Sequence, residues 1–210
     1  LNQVAHKIAP SVATNNRMVL KPTEKTPLSA VVLADILYEA GLPPEMLQIV
    51  TGDPREIADE MLVNPDIDLV TFTGGVPVGK YIAAKAVYKR QVLELGGNDP
   101  IIVMEDADLD EAASLAAAGS YKNSGQRCTA ARRLIVKASM YDALMAEVKT
   151  LADRIIVGAP FDEPSPFMGP VIDNQSADGL TESFLYLLSN GGKAIKHLVR
   201  PRDDLPFLSP

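Results

Sequence analysis

An α/β fold, a parallel sheet covered by helices, is what the sequence predicts for roughly its first ninety residues, with a second α/β portion following. Three observations carry that expectation. Short apolar runs at Met18-Val19-Leu20, Leu47-Gln48-Ile49-Val50 and Asp68-Leu69-Val70-Thr71-Phe72 are separated by stretches of helical periodicity. Helix start and stop signals stand where those stretches begin and end. The third run turns through Gly74-Gly75 into another helical stretch. Strand, glycine turn, helix is the arrangement that receives a nucleotide phosphate, so the first portion reads as Rossmann-like.

In order, Met18 to Leu20 reads as a buried strand leading to Lys21. Thr26-Pro27 supplies an N-cap and a proline at the first helical position, and Leu28, Val31, Val32, Asp35-Ile36 and Glu39 give a helix with one apolar stripe. Gly41 stops it, with Pro43-Pro44 beyond. The run at 47–50 is the next strand, and Asp53-Pro54-Arg55-Glu56 is a capping box opening another helix. The run at 68–72 is the third strand, followed by a helix over about Val76 to Tyr88. Paired glycines at Gly96-Gly97 permit a change of direction, which places a domain boundary at Leu95 to Gly97. Pro100 to Val103 then reads as a buried strand, and Asp108 caps an alanine-rich helix ending near Gly119. Leu134-Ile135-Val136 is a strand, and a helix follows over about Ser139 to Leu151. Beyond Gly179 the helical pattern deteriorates, and the proline-rich, mixed-charge stretch Leu198 to Pro210 reads as lacking a partner segment.

Composition narrows the function classes. A chain of 210 residues with 47% hydrophobic content is long enough for one large domain or two small ones. The net charge of −7 argues against a nucleic-acid or membrane-surface partner. One cysteine excludes an intrachain disulfide, and no apolar stretch approaches the ~18 to 20 residues of a membrane span. Two histidines and one cysteine give no metal cluster. The N-terminal Leu-Asn-Gln-Val-Ala-His-Lys carries no secretory pattern, which makes the cytoplasm the default location. Its start without methionine fits a partial sequence.

The chemistry centres on Cys128, in the run Asn123-Ser124-Gly125-Gln126-Arg127-Cys128-Thr129, with Arg127 as an adjacent cation. A thiol reacts as its thiolate, which a neighbouring cation favours. Taken alone, one intracellular cysteine is more often an inert core residue. Glu94, between Leu93 and Leu95, is the candidate base; a solvated or salt-bridged carboxylate there would suffer desolvation between two leucines, which favours the functional reading.

The runs Leu93-Glu94-Leu95-Gly96-Gly97, Gly125-Gln126-Arg127-Cys128, Lys21-Pro22-Thr23-Glu24 and Phe72-Thr73-Gly74-Gly75, in their order and spacing, resemble four signatures of the aldehyde dehydrogenase superfamily. Gly96-Gly97-Asn98-Asp99-Pro100 and Gly119-Ser120-Tyr121-Lys122-Asn123 resemble most closely its phosphonoacetaldehyde dehydrogenase branch. The resemblance runs from Leu1 to about Asp173, roughly half of a full-length member, incomplete at both ends. It implies a partial NAD-binding domain over 1–94 and a partial catalytic, thiol-bearing domain over 95–210.

That resemblance implies oxidation of an aldehyde to a carboxylic acid. Cys128 corresponds to the nucleophile that forms a thiohemiacetal and then a thioester, and Glu94 to the base that activates the deacylating water. Lys21 and Glu24 correspond to the pair contacting the adenosine ribose. A carboxylate there favours NAD, with NADP also compatible. Gly74, Gly75 and Gly79 let the backbone approach the pyrophosphate, and Leu95 and Gly96 complete the implied cofactor set. Many members carry serine where Gly75 stands. Arg127, at a variable position, is the candidate substrate-binding cation for an anionic aldehyde such as phosphonoacetaldehyde. A homodimer or homotetramer is implied for the full-length enzyme. The family's oxyanion asparagine and nicotinamide-ribose carboxylate have no counterpart in this sequence, and losing an oxyanion donor commonly lowers turnover by about 10² to 10³.

Two rivals come from other classes. Gly74 to Lys80 matches the first seven positions of a triphosphate-binding loop, but Tyr81 stands where a magnesium-ligating hydroxyl belongs and Pro77 removes a backbone donor. The other is a truncated, non-catalytic fragment with a residual nucleotide-binding or assembly role. Coenzyme A acylating relatives generally lack the base, so Glu94 favours hydrolysis.

Overall fold

The computed structural model describes residues 1–210, which divide into two compact units, Leu1–Gly96 and Gly97–Pro210. The first contains, in order, α1 (Asn2–Ala13), β1 (Met18–Leu20), α2 (Leu28–Glu39), β2 (Leu47–Ile49), α3 (Pro54–Val63), β3 (Leu69–Thr73), α4 (Val76–Ala86) and β4 (Arg90–Glu94). The second contains β5 (Asp99–Val103), α5 (Leu109–Tyr121), β6 (Ala131–Val136), α6 (Tyr141–Asp153) and α7 (Asn174–Ser189).

Strand pairing is parallel throughout, as helical crossovers require, but the strands hydrogen-bond only in pairs: β1 with β2, β3 with β4, β5 with β6. Each pair is bridged by the helix between its strands. In the first unit Ile8, Ala34 and Leu47 form one buried cluster with Val12, Met18 and Leu20 against it. Leu62, Ile82 and Ala86 form another, with Val70, Phe72 and Leu93 packed on it. In the second unit Val103, Ala113, Ala116, Leu144 and Val148 join β5 to α5 and α6.

The helix signals act unevenly. Asp53 caps α3 by accepting from the Arg55 amide at 2.7 Å, and Asp108 caps α5 by accepting from the Glu111 amide at 2.9 Å. Gly41 ends α2 in a left-handed conformation, φ +98°, with the Leu42 amide returning to the Leu37 carbonyl at 2.9 Å. Thr26 does not cap α2. Pro27 already has helical dihedrals, φ −78° and ψ −23°, and its carbonyl takes the Ala30 amide, so the helix opens without a side-chain cap. The stripe expected on α2 is also corrected: its buried face is Ala30 and Ala34 flanked by Leu33 and Leu37, whereas Leu28, Val32 and Ile36 are exposed. Two apolar faces share this helix, and periodicity alone does not say which one is covered.

Three more readings change. β5 alternates, with Ile102 exposed and Val103 buried, so it is half-buried and not a buried core strand. α5 ends at Tyr121, close to the expected Gly119, where a side chain would press on Ala131 Cβ at 3.2 Å, so the glycine also allows close approach to β6. α7 passes Gly179 and runs to Ser189. A mid-helix glycine lowers helix stability by only about 1 kcal/mol, against which stand the Asp173 cap on Ser176 and the complete burial of Ala177. The stretch 198–210 forms no helix or strand, yet Leu208 is buried with Val171 and Ala177, so it has the partner it was expected to lack.

Asp53→Ala removes both side-chain bonds to the first turn of α3 and is expected to destabilise the chain by about 1 kcal/mol, read as a lower denaturation midpoint with unchanged slope.

Candidate functional site

In the first unit the sequence-predicted residues stand at the C-terminal ends of parallel strands. Lys21 and Glu24 follow β1; their charged groups lie 3.7 Å apart, and Lys21 Nζ also donates to the Pro22 carbonyl at 2.8 Å. The lysine is largely covered and the glutamate half-exposed, which leaves an ammonium and a carboxylate fit to hold a diol. Gly74 and Gly75 follow β3, and Gly75 is the N-cap of α4 with no side-chain cap on the first turn. A cradle of unpaired backbone amides at a helix start is what an anion needs. Gly79 is spoken for: a Cβ there would fall 2.4 Å from Leu95 Cδ2, so the Leu95 side chain occupies the space that glycine leaves. Gly96 is exposed and has open space around it.

Glu94 ends β4, paired with Thr73, and its carbonyl accepts the Gly74 amide at 3.0 Å. Its side chain is exposed. The desolvation argument from its leucine neighbours therefore fails, because the two-residue period of a strand turns Leu93 and Leu95 inward and Glu94 outward. The charge of Glu94 does reach Lys7 on α1, a residue that sequence reasoning missed. Burial holds the Lys7 ammonium below the usual lysine range, and the Glu94 charge pulls it part of the way back. The signal was a lysine inside the apolar stripe of α1, between Val4 and Ile8.

Tyr81, the residue that spoils the triphosphate loop, donates to Asp59 and accepts from Lys85 at 3.0 Å. It ties α4 to α3, and Lys85 and Tyr81 together hold the Asp59 carboxyl below its ordinary range.

In the second unit Cys128 is exposed on the loop joining α5 to β6. It occupies the first central position of a turn closed by the Ala130 amide on the Arg127 carbonyl at 3.1 Å. The preceding residues Asn123, Ser124 and Gly125 all have positive φ, at 58°, 55° and 67°. Arg127, the adjacent cation, turns back into the protein: Nη2 donates to the Gly119 carbonyl at 2.9 Å, and Nε is buried without an acceptor. A cation at the C-terminal end of α5 also complements the negative pole of that helix's dipole. No group of histidine, cysteine and carboxylates could hold a metal ion.

The model of the aldehyde dehydrogenase family matches residues 1–200, and the chain belongs to that family. It is 51% identical over 206 residues to the N-succinylglutamate 5-semialdehyde dehydrogenase of Novosphingobium aromaticivorans, covering 97% of this chain and 44% of that protein. With the 3-sulfolactaldehyde dehydrogenase of Priestia aryabhattai it shares 40% over 193 residues, 92% of this chain and 40% of the relative. Among solved structures, betaine aldehyde dehydrogenase from Staphylococcus aureus, in complex with NAD+, superposes with a TM-score of 0.91 at 33% identity, over 99% of this chain and 42% of that one. The NADP-dependent glyceraldehyde-3-phosphate dehydrogenase of Bacillus halodurans, complexed with NADP, gives 0.89 at 40% identity, over 98% and 42%. The chain thus spans less than half the length of these relatives.

Because the folded Lys7 pKa lies below its unfolded value, the charged form opposes folding at lower pH and that penalty is relieved as pH rises through the folded value. Glu94→Gln deletes the one charge that favours the ammonium, so the Lys7 pKa is expected to fall further, read by NMR titration of its side chain. An unchanged titration would show that the two groups do not interact.

Proposed function

We propose that this segment carries the thiol and the base of an NAD(P)-dependent aldehyde dehydrogenase that converts an aldehyde to a carboxylic acid. The observation that carries the reading is the family match over residues 1–200 with the chain's one cysteine presented on an exposed turn. The whole reaction belongs to the complete polypeptide.

Lys21 and Glu24 are proposed to hold the adenosine ribose, the backbone after Gly74 and Gly75 to hold the pyrophosphate, and the Gly79–Leu95 contact and Gly96 to shape the site behind it. The half-exposed Glu24 carboxylate beside Lys21 favours a free ribose hydroxyl pair, hence NAD over NADP. When bound, the nicotinamide supplies the hydride acceptor. The chain's own part is covalent and acid–base. Cys128 Sγ, as thiolate, bonds to the aldehyde carbon and later leaves it. Glu94 takes the proton of the water that cleaves the sulfur–acyl bond, which releases the acid and frees the thiolate. The exposed position of Glu94 gives that water access.

The substrate is proposed to be an anionic aldehyde, of which phosphonoacetaldehyde is one candidate. Supporting this, relatives named above act on a succinylglutamate semialdehyde and a sulfolactaldehyde, whose carboxylate and sulfonate groups a guanidinium suits. Arg127 is the candidate donor, and anion binding there would exchange its bond to Gly119. The exposed apolar stripe Leu28, Val32 and Ile36 supports a homodimer or homotetramer. No helix is long and apolar enough to cross a membrane, and the cytoplasm is the proposed location.

In the complete enzyme, Cys128→Ala is expected to abolish aldehyde oxidation while cofactor binding stays within a few-fold. Glu94→Gln is expected to keep the first burst of reduced cofactor and slow steady turnover, since the base acts after acylation. Retained turnover in the first variant, or a normal steady rate in the second, removes the corresponding role.

Arg127→Ala is expected to raise KM for an anionic aldehyde about ten-fold, in line with ~1.5 to 3 kcal/mol for a charged hydrogen bond, and to spare a neutral aldehyde of similar size. Parallel losses on both substrates would leave Arg127 as an anchor of the cysteine loop alone.

A further inference from the structure

We propose that Gln126 is a positioning residue for the Cys128 thiol, its side-chain amide clamping the left-handed turn before the cysteine onto the segment Pro170–Ile172. The inference rests on the reading of Cys128 as nucleophile and assigns a role to a residue that does not itself touch substrate.

The turn needs holding. Asn123, Ser124 and Gly125 follow one another in the left-handed region, which side-chain-bearing residues avoid. Glycine is required at the third place both by φ +67° and by space, since a Cβ there would lie 2.9 Å from the Ser120 carbonyl oxygen. Inside the turn the Gln126 amide returns to the Asn123 carbonyl at 3.0 Å. The outside contacts come from side chains. Gln126 Oε1 accepts the Ile172 amide at 2.9 Å, and Gln126 Nε2 donates to the Pro170 carbonyl at 3.2 Å. One primary amide thus pairs with a backbone donor and acceptor two residues apart, as a neighbouring strand would. Ser124 Oγ adds a bond to the Gly169 carbonyl at 2.8 Å.

The segment that receives these bonds is itself fixed. Val171 is buried with Ala177 and Leu208, and its amide donates to the Pro206 carbonyl at 2.9 Å. The strained turn is thereby pinned to a packed surface, and Cys128, two residues beyond Gln126, inherits that position. A nucleophile displaced by about 1 Å can lose on the order of 10² in rate, so anchoring of this kind has kinetic consequences.

Gln126→Met keeps length and removes both bonds; Gln126→Glu keeps the acceptor for Ile172 and loses the donor to Pro170. In the complete enzyme Q126M is expected to speed amide hydrogen exchange at Ile172 about ten-fold and lower kcat at least ten-fold, with the cofactor Kd within two-fold. Q126E is expected to keep Ile172 protected, with kcat between the two. Fast exchange at Ile172 with undiminished kcat would make Gln126 merely structural and overturn the proposal. So would an unchanged exchange rate, or a Q126E kcat at the wild-type level if Q126M does not fold. Cys128→Ser, assayed alongside, separates the premises: turnover surviving in C128S sinks the nucleophile reading, whereas dead C128S beside fully active Q126M sinks only the clamp.

Discussion

Parallel pairing of β3 with β4 is the constraint on which the first unit's site depends. Parallel strands need a crossover between them, and α4 supplies it. The register that sets Thr73 beside Glu94 brings the Gly74 amide onto the Glu94 carbonyl, so one backbone hydrogen bond fixes both the glycine turn and the strand end that bears the carboxylate. From there α4 starts directly after Gly75, its N-cap, and Gly79 must be small because Leu95, the next residue after the strand, lies on it. A slip of one residue would undo all of this. It would turn Glu94 inward and expose Leu93, which now packs against Leu62 and Ile82.

The second unit solves a different problem, presenting a small side chain on an irregular loop at a defined place. Its means are local strain held by tertiary bonds. Three consecutive left-handed residues bring the chain sharply away from α5, and Gly119 lets that helix approach Ala131 of β6 closely. Arg127 ties the loop to the helix while Gln126 and Ser124 tie it to 169–172. The cysteine that follows these anchors is exposed although the residues before it are held, the combination that the proposed nucleophile role calls for.

Much of this was legible in the sequence where the signal is local. Asp53, Asp108 and Gly41 act as caps and stops because their chemistry concerns only a turn of backbone. The runs around Cys128, Glu94, Lys21 and Gly74 were found because specific residue types recur at fixed spacing. Failures arose where the deciding atoms are distant in sequence. The buried face of α2 depends on what lies across from it, and the continuation of α7 past Gly179 on burial of Ala177 against Leu208. Glu94 was misjudged from its leucine neighbours because adjacency in a strand means opposite faces. Lys7 and the partners of Gln126 could not be found by any local rule, since only folding brings α1 to Glu94 or 170–172 to the thiol loop.

The cations near these groups share a feature that bears on electrostatics. In a chain of net charge −7, Lys21 is held by Pro22 and Glu24 and Arg127 by Gly119, while Lys7 is partly buried. Neither Lys21 nor Arg127 is a freely swinging surface charge. Partly buried charges are screened far less by salt than exposed ones, so their influence on nearby groups is set by the fold and not by ionic strength. A mobile cation would have to be ordered whenever charge develops at sulfur or oxygen, whereas a tethered one is in place beforehand. Preorganised charge of that kind is what lets a modest set of side chains stabilise a developing anion.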